Sequence, residues 1–249
     1  MKILTLLVTL GLGMAYAQSA QSVAKQSFEA VSGYQSSIAK ARMILKNANG
    51  VQNKRQLIMK RYEKATGDKS FLEFLYPLDI KGTKLLSFER IAKDDRQWLY
   101  LPELKRTKRI SSRNKSGSFM GSEFSYEDIS TQNYLNYSYK GEAKEAQKNG
   151  KNYLQIERIP KDGNSGYSRQ TAWIDPQTYL IAFGEYYDKE NRLLKKVAFS
   201  KYRKIKGVYR VQTIEIQNVQ NGKSTILTLD KEEIKVGLQE QDFSKKALN

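Results

Sequence analysis

Short strand-like runs follow one another along most of this chain. Apolar, β-branched and aromatic residues concentrate at positions 39–47, 51–62, 71–75, 85–91, 96–101, 134–140, 153–159, 170–174, 181–187, 193–202, 209–218 and 225–234. Turn residues separate them: Asn49-Gly50, Thr66-Gly67-Asp68, Lys148-Asn149-Gly150, Asp162-Gly163-Asn164, Asp175-Pro176 and Asn221-Gly222. About a dozen strands joined by hairpins make a mainly β protein, with a large antiparallel sheet that is strongly curved or closed into a barrel. One helix precedes them: Ala20, Ala24, Phe28 and Val31 fall on a single helical face, and Gly33 follows as a stop. Only the segment 102–128 breaks the rhythm, and a connection of that length is usually functional or carries its own helices.

Alternation indicates what the sheet covers. Leu57 and Met59 share a face, as do Leu135, Tyr137 and Tyr139, then Ile181 and Phe183, then Val197 and Phe199. Their neighbours include Lys60, Asn136, Lys140 and Lys196, so these strands are apolar on one side and wet on the other. Such a concave apolar face is either a packed core or a cavity for a greasy ligand.

The chemistry available is narrow. The 249 residues include no His and no Cys, which removes a Ser-His-Asp triad, a thiol nucleophile, a disulfide and the common zinc and haem sites. No cofactor is expected. Ser112-Arg113-Asn114-Lys115 fits an S-x-x-K pattern, but so do the stretches starting at Ser22 and Ser37, and no K-T-G partner exists. Gly222-Lys223-Ser224 lacks the second Gly of a phosphate loop, since position 217 is Gln. The adjacent pairs Asp94-Asp95, Glu127-Asp128 and Glu232-Glu233 do not face each other as a glycosidase requires. The chain reads as a non-enzyme.

Residues 1–17 read as an export signal. Lys2 precedes an apolar stretch over 3–14, and Ala15-Tyr16-Ala17 supplies small residues at the cleavage positions. The run is shorter than the roughly 20 residues a membrane span needs. Cleavage after Ala17 leaves 18–249 as one exported domain, which the family resemblance described below implies is periplasmic. With 43 Lys+Arg against 26 Asp+Glu the chain carries a formal charge of +17, and Lys105, Arg106, Lys108, Arg109, Arg113 and Lys115 cluster within eleven residues. An exported protein meets lipid phosphates and acidic polymers, not nucleic acid, and anionic membranes attract basic side chains at roughly 1 kcal/mol each.

The run Trp98-Leu99-Tyr100-Leu101-Pro102, then Arg106-Thr107-Lys108-Arg109-Ile110-Ser111, then Ser116-Gly117-Ser118-Phe119-Met120-Gly121-Ser122 leading into Phe124-Ser125-Tyr126-Glu127-Asp128, resembles the LolA-like outer-membrane lipoprotein-sorting family. Pro77-Leu78-Asp79-Ile80-Lys81-Gly82-Thr83 is similar to it as well, and the likeness runs loosely over 43–243. The resemblance implies an incomplete antiparallel β-barrel with a helical lid. It also implies a soluble monomer that shelters the acyl chains of a lipid or lipoprotein between an inner-membrane exporter and an outer-membrane acceptor. On it, Trp98, Tyr100, Phe119, Met120, Phe124 and Tyr126 are expected to line the cavity mouth and lid. Arg106, Lys108, Arg109 and Arg113 are expected to contact head groups or a membrane surface. The alternative is a non-enzymatic envelope adaptor with a filled core, docking on a lipid exporter or an anionic polymer.

Overall fold

The computed structural model describes residues 18–91 and 93–248. The expected export signal, 1–17, lies outside the described residues.

A helix, α1 (Ala20–Ala30), comes first. Ser19 caps it, its hydroxyl accepting from the Ser22 N–H at 3.1 Å. The buried face is Ala20, Val23, Ala24 and Ser27, rotated slightly from the expected line, so that Phe28 and Val31 are half-buried. Six strands follow: β1 (Ser36–Lys46), β2 (Gln52–Tyr62), β3 (Lys69–Tyr76), β4 (Lys84–Phe88), β5 (Arg96–Leu101) and β6 (Arg106–Ile110). A long connection carrying the short helix α2 (Tyr126–Ile129) leads to β7 (Tyr137–Tyr139), β8 (Lys144–Lys148), β9 (Lys151–Pro160), β10 (Arg169–Ile174) and β11 (Ile181–Tyr187). The chain finishes with β12 (Leu193–Ser200), the small hairpin β13 (Arg203–Ile205) and β14 (Val208–Arg210), β15 (Thr213–Asn218) and β16 (Ser224–Ile234).

Fourteen of these strands form one antiparallel sheet in the order β6-β5-β4-β3-β2-β1-β16-β15-β12-β11-β10-β9-β7, with β8 also on β9. Its ends do not meet, so the barrel is incomplete. Bulges at Lys40/Ala41, Gln56/Leu57, Trp173/Ile174 and Tyr186/Tyr187 bend the strands and deepen the curvature. The bulge between β10 and β11 also revises one expected face. It places an extra residue, Ala182, opposite the Trp173/Ile174 step, so Ile181 joins the concave side while Phe183 packs on the convex side with Tyr153, under the Lys148 ammonium.

Both faces of the sheet are apolar in places, and each is covered differently. Met43, Leu57, Met59, Leu72, Phe74, Leu85, Leu99, Val197, Ile216 and Leu227 form the concave core. At the other side of the same concave face, α1 sits on Ile156, Ala172 and Ile174, where Ala20 and Ala24 permit close approach. On the convex face, Phe71, Leu86 and Trp98 are buried by Phe243 and Leu248 of the C-terminal tail.

The segment 102–128 is more regular than its sequence suggests. A helical turn at Pro102–Leu104 opens it and β6 follows, an outermost strand whose Arg-Thr-Lys-Arg-Ile sequence lacks apolar alternation because only one edge is paired among the described residues; charged side chains suit such an edge. The expected strand over 134–140 is a helical turn at Tyr134–Asn136 followed by the three-residue β7. Among the described residues no helix is long and apolar enough to cross a membrane.

Buried carboxylates clip the connections together. Glu89, at the end of β4, accepts from the Asp68 N–H at 3.1 Å, the Asn133 N–H at 3.0 Å and the Asn136 side-chain amide at 3.3 Å. Burial pushes its carboxyl up to about 8, and pushes Asp95, which accepts from the Arg90 N–H, to about 6. Asp68 is raised by burial too. In contrast, hydrogen bonds from Lys64 and Lys69 hold exposed Glu240 at about 2, and one from Gln220 holds Asp188 below the usual carboxylate range. A carboxyl raised on folding stabilises fully below its unfolded value and loses that contribution as pH climbs through its folded value. A depressed one stabilises above its unfolded value and loses it as pH falls. The urea midpoint of unfolding should therefore be highest near about pH 5 and drop steadily between about pH 5 and 8. A midpoint that is flat or rising over that interval would contradict this assignment of buried acids.

Candidate functional site

The concave face is wider than the elements that cover it. An open apolar cavity of about 230 Å³ remains between α1 and strands β2, β11, β12, β15 and β16. Met59, Ile181, Val197, Phe199, Ile214, Ile216, Leu227 and Leu229 line it from the sheet, and Phe28 and Val31 from the helix. Two salt-bridged or hydrogen-bonded groups fasten the helix end beside it. Arg210 pairs with Glu232 at 2.8 Å and donates to the Val31 carbonyl at 3.2 Å, while Glu63 accepts from the Gly33 and Gln35 N–H groups at 2.7 and 2.9 Å. At the other end of α1, Ala20 N–H donates to Gly141 O and Ala143 N–H to Gln18 O. The helix is thus a cover held at both ends, packed on the sheet through Val23 and Ala24 and open beneath its C-terminal end at Phe28 and Val31.

Next to this cavity the same face is plugged. The loop 116–125 turns inward, and Phe119, fully buried, stacks on Phe74 at 5.7 Å and meets the Tyr126 ring edge-on at 5.6 Å. Met120 and Gly121 both take positive φ, 51° and 74°, and Ser122 N–H donates to Phe119 O, which closes a tight turn. Gly121 adopts this conformation freely. Ser122 and Ser118 hydroxyls donate to the Phe119 and Ser122 carbonyls, and the Arg55 guanidinium donates to Met120 O at 2.6 Å. The loop is a fastened wedge in this structure, with the apolar tip expected of a lid.

Helix α2 anchors the wedge from behind. The side chains of Ser125 and Asp128 cap its N-terminus reciprocally. Asp128 also accepts from Lys195 Nζ at 2.8 Å and from the Tyr167 hydroxyl at 2.9 Å, all of them buried. Glu127 accepts from Ser165 Oγ and the Gly166 N–H, both at 2.8 Å. A side chain at Gly166 would put its Cβ 2.6 Å from Ser116 Cβ, so the absence of one lets the two loops touch.

The structure brings four of the six expected lining residues together. Phe119 and Phe124 are in the concave core, with Met120 and Tyr126 packed against it, and Phe124 reaches the open cavity. Trp98 and Tyr100 are elsewhere. They point to the convex face, where the tail residues Phe243 and Leu248 bury Trp98, and Lys245 lies over its ring at 4.8 Å. Leu99 and Leu101 take the inward positions instead. Alternation in Trp-Leu-Tyr-Leu is ambiguous because both faces are apolar; the distant tail decides. Arg106, Lys108 and Arg109 are exposed on β6 and Arg113 just beyond it, whereas Lys115 turns inward to pair with Asp162.

Several cavity residues are legible as inward members of alternating strands, Val197 and Phe199 among them. Arg158, Gln132 and Tyr186 are cavity residues that the sequence does not single out, since Arg158 stands in the mixed run Tyr153-Leu154-Gln155-Ile156-Glu157-Arg158-Ile159.

A protein-family model described as "Uncharacterized protein" matches residues 66–249. Among curated proteins nothing matches the chain. Solved structures do. One described as an outer membrane lipoprotein-sorting protein domain, from Vibrio parahaemolyticus, is 40% identical and superposes with a TM-score of 0.87, covering 92% of this chain and 97% of its own. A DUF1329 family protein from Desulfovibrio piger is 29% identical with a TM-score of 0.86, covering 93% of this chain and 100% of its own. A LolA superfamily protein from Nitrosomonas europaea shares the fold at 18% identity and a TM-score of 0.75, covering 93% of this chain and 100% of its own. With that much of both chains aligned and the unclosed sheet in common, the protein belongs to the LolA-like outer-membrane lipoprotein-sorting family.

Proposed function

We propose that the protein is a non-enzymatic carrier that holds the acyl chains of a lipid or lipoprotein and moves it through the periplasm towards the outer membrane. The observation that carries this reading is the apolar cavity under the end of α1, which shares the concave face with the wedge at Phe119. Each methylene taken from water contributes about 0.8 kcal/mol, so even part of an acyl chain is held firmly. The cavity is smaller than the roughly 300–1,000 Å³ usual for ligand pockets, and a whole chain needs the volume that Phe119 and Met120 now fill. Met120 adapts its shape readily to varied chains. Displacing the wedge costs its core contacts, and their recovery drives release, so uptake and delivery are one reversible exchange. Export by cleavage after Ala17 fits this role, as does a monomer handing cargo from an inner-membrane exporter to an outer-membrane acceptor. The filled part of the concave face favours the second reading, an envelope adaptor that binds a partner and no lipid.

The surface that meets the membrane is proposed at one end of the sheet. The large apolar residues most exposed among those described, Leu78, Leu104 and Val51, sit on the β3–β4, β5–β6 and β1–β2 turns, which lie at the same end. Neighbouring turns touch: Gly82 approaches Pro102, and Gly222 approaches Ala48. Lys81, Lys105 and Arg106 flank these tips, and Lys108, Arg109 and Arg113 continue along the edge of the sheet. Apolar tips ringed by cations suit the interface of an anionic bilayer.

Two experiments test these assignments. Lys in place of Ile214 or Phe199 sets an ammonium in the cavity wall; uptake of a fluorescent fatty-acid analogue should weaken by about tenfold or more, equivalent to ~1.4 kcal/mol, with the far-UV spectrum unchanged. Wild-type uptake in both variants would remove the cavity from the mechanism. Sedimentation with phosphatidylglycerol vesicles should fall with added salt and fall again in the double variant Leu78→Ser, Leu104→Ser. Equal sedimentation of variant and wild type would place the membrane contact elsewhere.

A further inference from the structure

The apolar cavity is polar in two places: Arg61, Glu63, Asp68 and Arg210 line it beside the end of α1, and a second polar group, whose charges do not balance, lies across the far strands. Register aligns Tyr139, Arg158, Gln170, Tyr186 and Lys195 in a single row across β7, β9, β10, β11 and β12, all on the concave side. Two of these five are cations, and both are buried. One carboxylate serves them: Asp128, which is taken by Lys195 at 2.8 Å. Arg158 is 8% exposed and has only neutral partners among the described residues. Its Nε donates to Gln170 Oε1 at 2.7 Å and its Nη2 to Gln132 Oε1 at 2.5 Å, with the Tyr137 ring centroid 4.3 Å from the guanidinium carbon. The remaining acids near this region are committed elsewhere, Glu127 to Ser165 and Gly166, Glu157 to Arg169, Glu232 to Arg210. Burial raises the hydroxyls of Tyr137, Tyr139 and Tyr186, so the phenols around Arg158 are neutral at ordinary pH.

A guanidinium removed from water without a counter-charge is costly, and buried charges in folded proteins are as a rule paired. Arg158, Tyr186 and Gln132 all line the cavity whose other walls are Val197, Ile216 and Leu227. We infer that Arg158 is the anchor for an anionic ligand head group, a carboxylate or a phosphate, with the attached acyl chain lying along the aliphatic wall. The guanidinium presents five N–H donors in a planar fork, and its hydrogen bonds to Gln170, Gln132 and the Tyr186 hydroxyl use only part of that capacity. An oxyanion arriving there completes a charge-assisted pair in a site with little water, while an alcohol of the same chain length cannot.

This inference rests on the carrier reading and is tested so that the two can fail separately. Hexadecanoate, hexadecanoyl-glycerol phosphate and hexadecanol are each titrated against a bound neutral naphthylamine probe, at neutral pH, on wild type, Arg158→Gln and Arg158→Lys. The wild type should bind at least one anion about tenfold or more tighter than the alcohol, and the tighter anion identifies the source, fatty acid or phospholipid. Arg158→Gln should keep the alcohol affinity and lose the preference; Arg158→Lys should keep part of the preference, as a point charge without the fork. Equal wild-type affinity for anions and alcohol, or a preference that survives in Arg158→Gln, overturns the anchor and leaves the carrier standing. Binding of no ligand by the wild type overturns both.

Discussion

An antiparallel sheet that curves without closing has a concave apolar face, and that face must be covered by something other than the sheet. The arrangement of this protein follows from how incompletely the cover is made. Helix α1 shields Ile156, Ala172 and Ile174, and the wedge at Phe119 fills the region over Met43, Phe74 and Leu99. Between the two covers the wall formed by Val197, Ile216 and Leu227 stays open. A tighter sheet or a longer helix would have converted the same residues into an ordinary core. The cavity is what the geometry of an unclosed barrel leaves over.

The covers are held by polar ties at their ends, with apolar contact in their middles. Arg210 and Glu63 hold the end of α1, while Asp128, Lys195 and Tyr167 hold the base of the wedge. Such an arrangement separates two tasks. Hydrogen-bonded groups fix the position of each cover, and on the carrier function proposed above the non-directional apolar packing between them is what a greasy ligand would replace. Arg158 sits where these systems meet, at a polar end of an apolar space, and on the inference above it would orient an anionic amphiphile.

Much of the fold was legible from local signals. The hairpin turns, the strand positions and the helix before them follow from Asn-Gly and Gly-Asp punctuation and from period-two alternation, as for Leu57 and Met59. What was not legible depends on contacts far along the chain. Trp98 and Leu99 are equally apolar, and their faces are set by Phe243 and Leu248, which arrive more than a hundred residues later. Phe183 was assigned with Ile181 because alternation assumes an unbroken strand, and the bulge at Ala182 breaks it. Strand β6 escaped notice because an edge strand can be charged along its length. Phe119 and Phe124 are expected at the site only through the family likeness of their segment, and the structure places both in the concave core. Arg158 carries no periodic signal, and its position becomes informative only when register sets it beside Tyr186 and Gln170.

The central claim is that the open wall beneath α1 holds lipid. Native mass spectrometry of the protein, purified without detergent from cells that make it, addresses this directly when combined with solvent extraction of whatever is bound. The account predicts a discrete adduct of acyl-lipid mass, released on extraction and carrying an anionic head group. A single unliganded mass, from protein that also takes up no fluorescent fatty acid, would contradict it and leave a filled-core adaptor in its place.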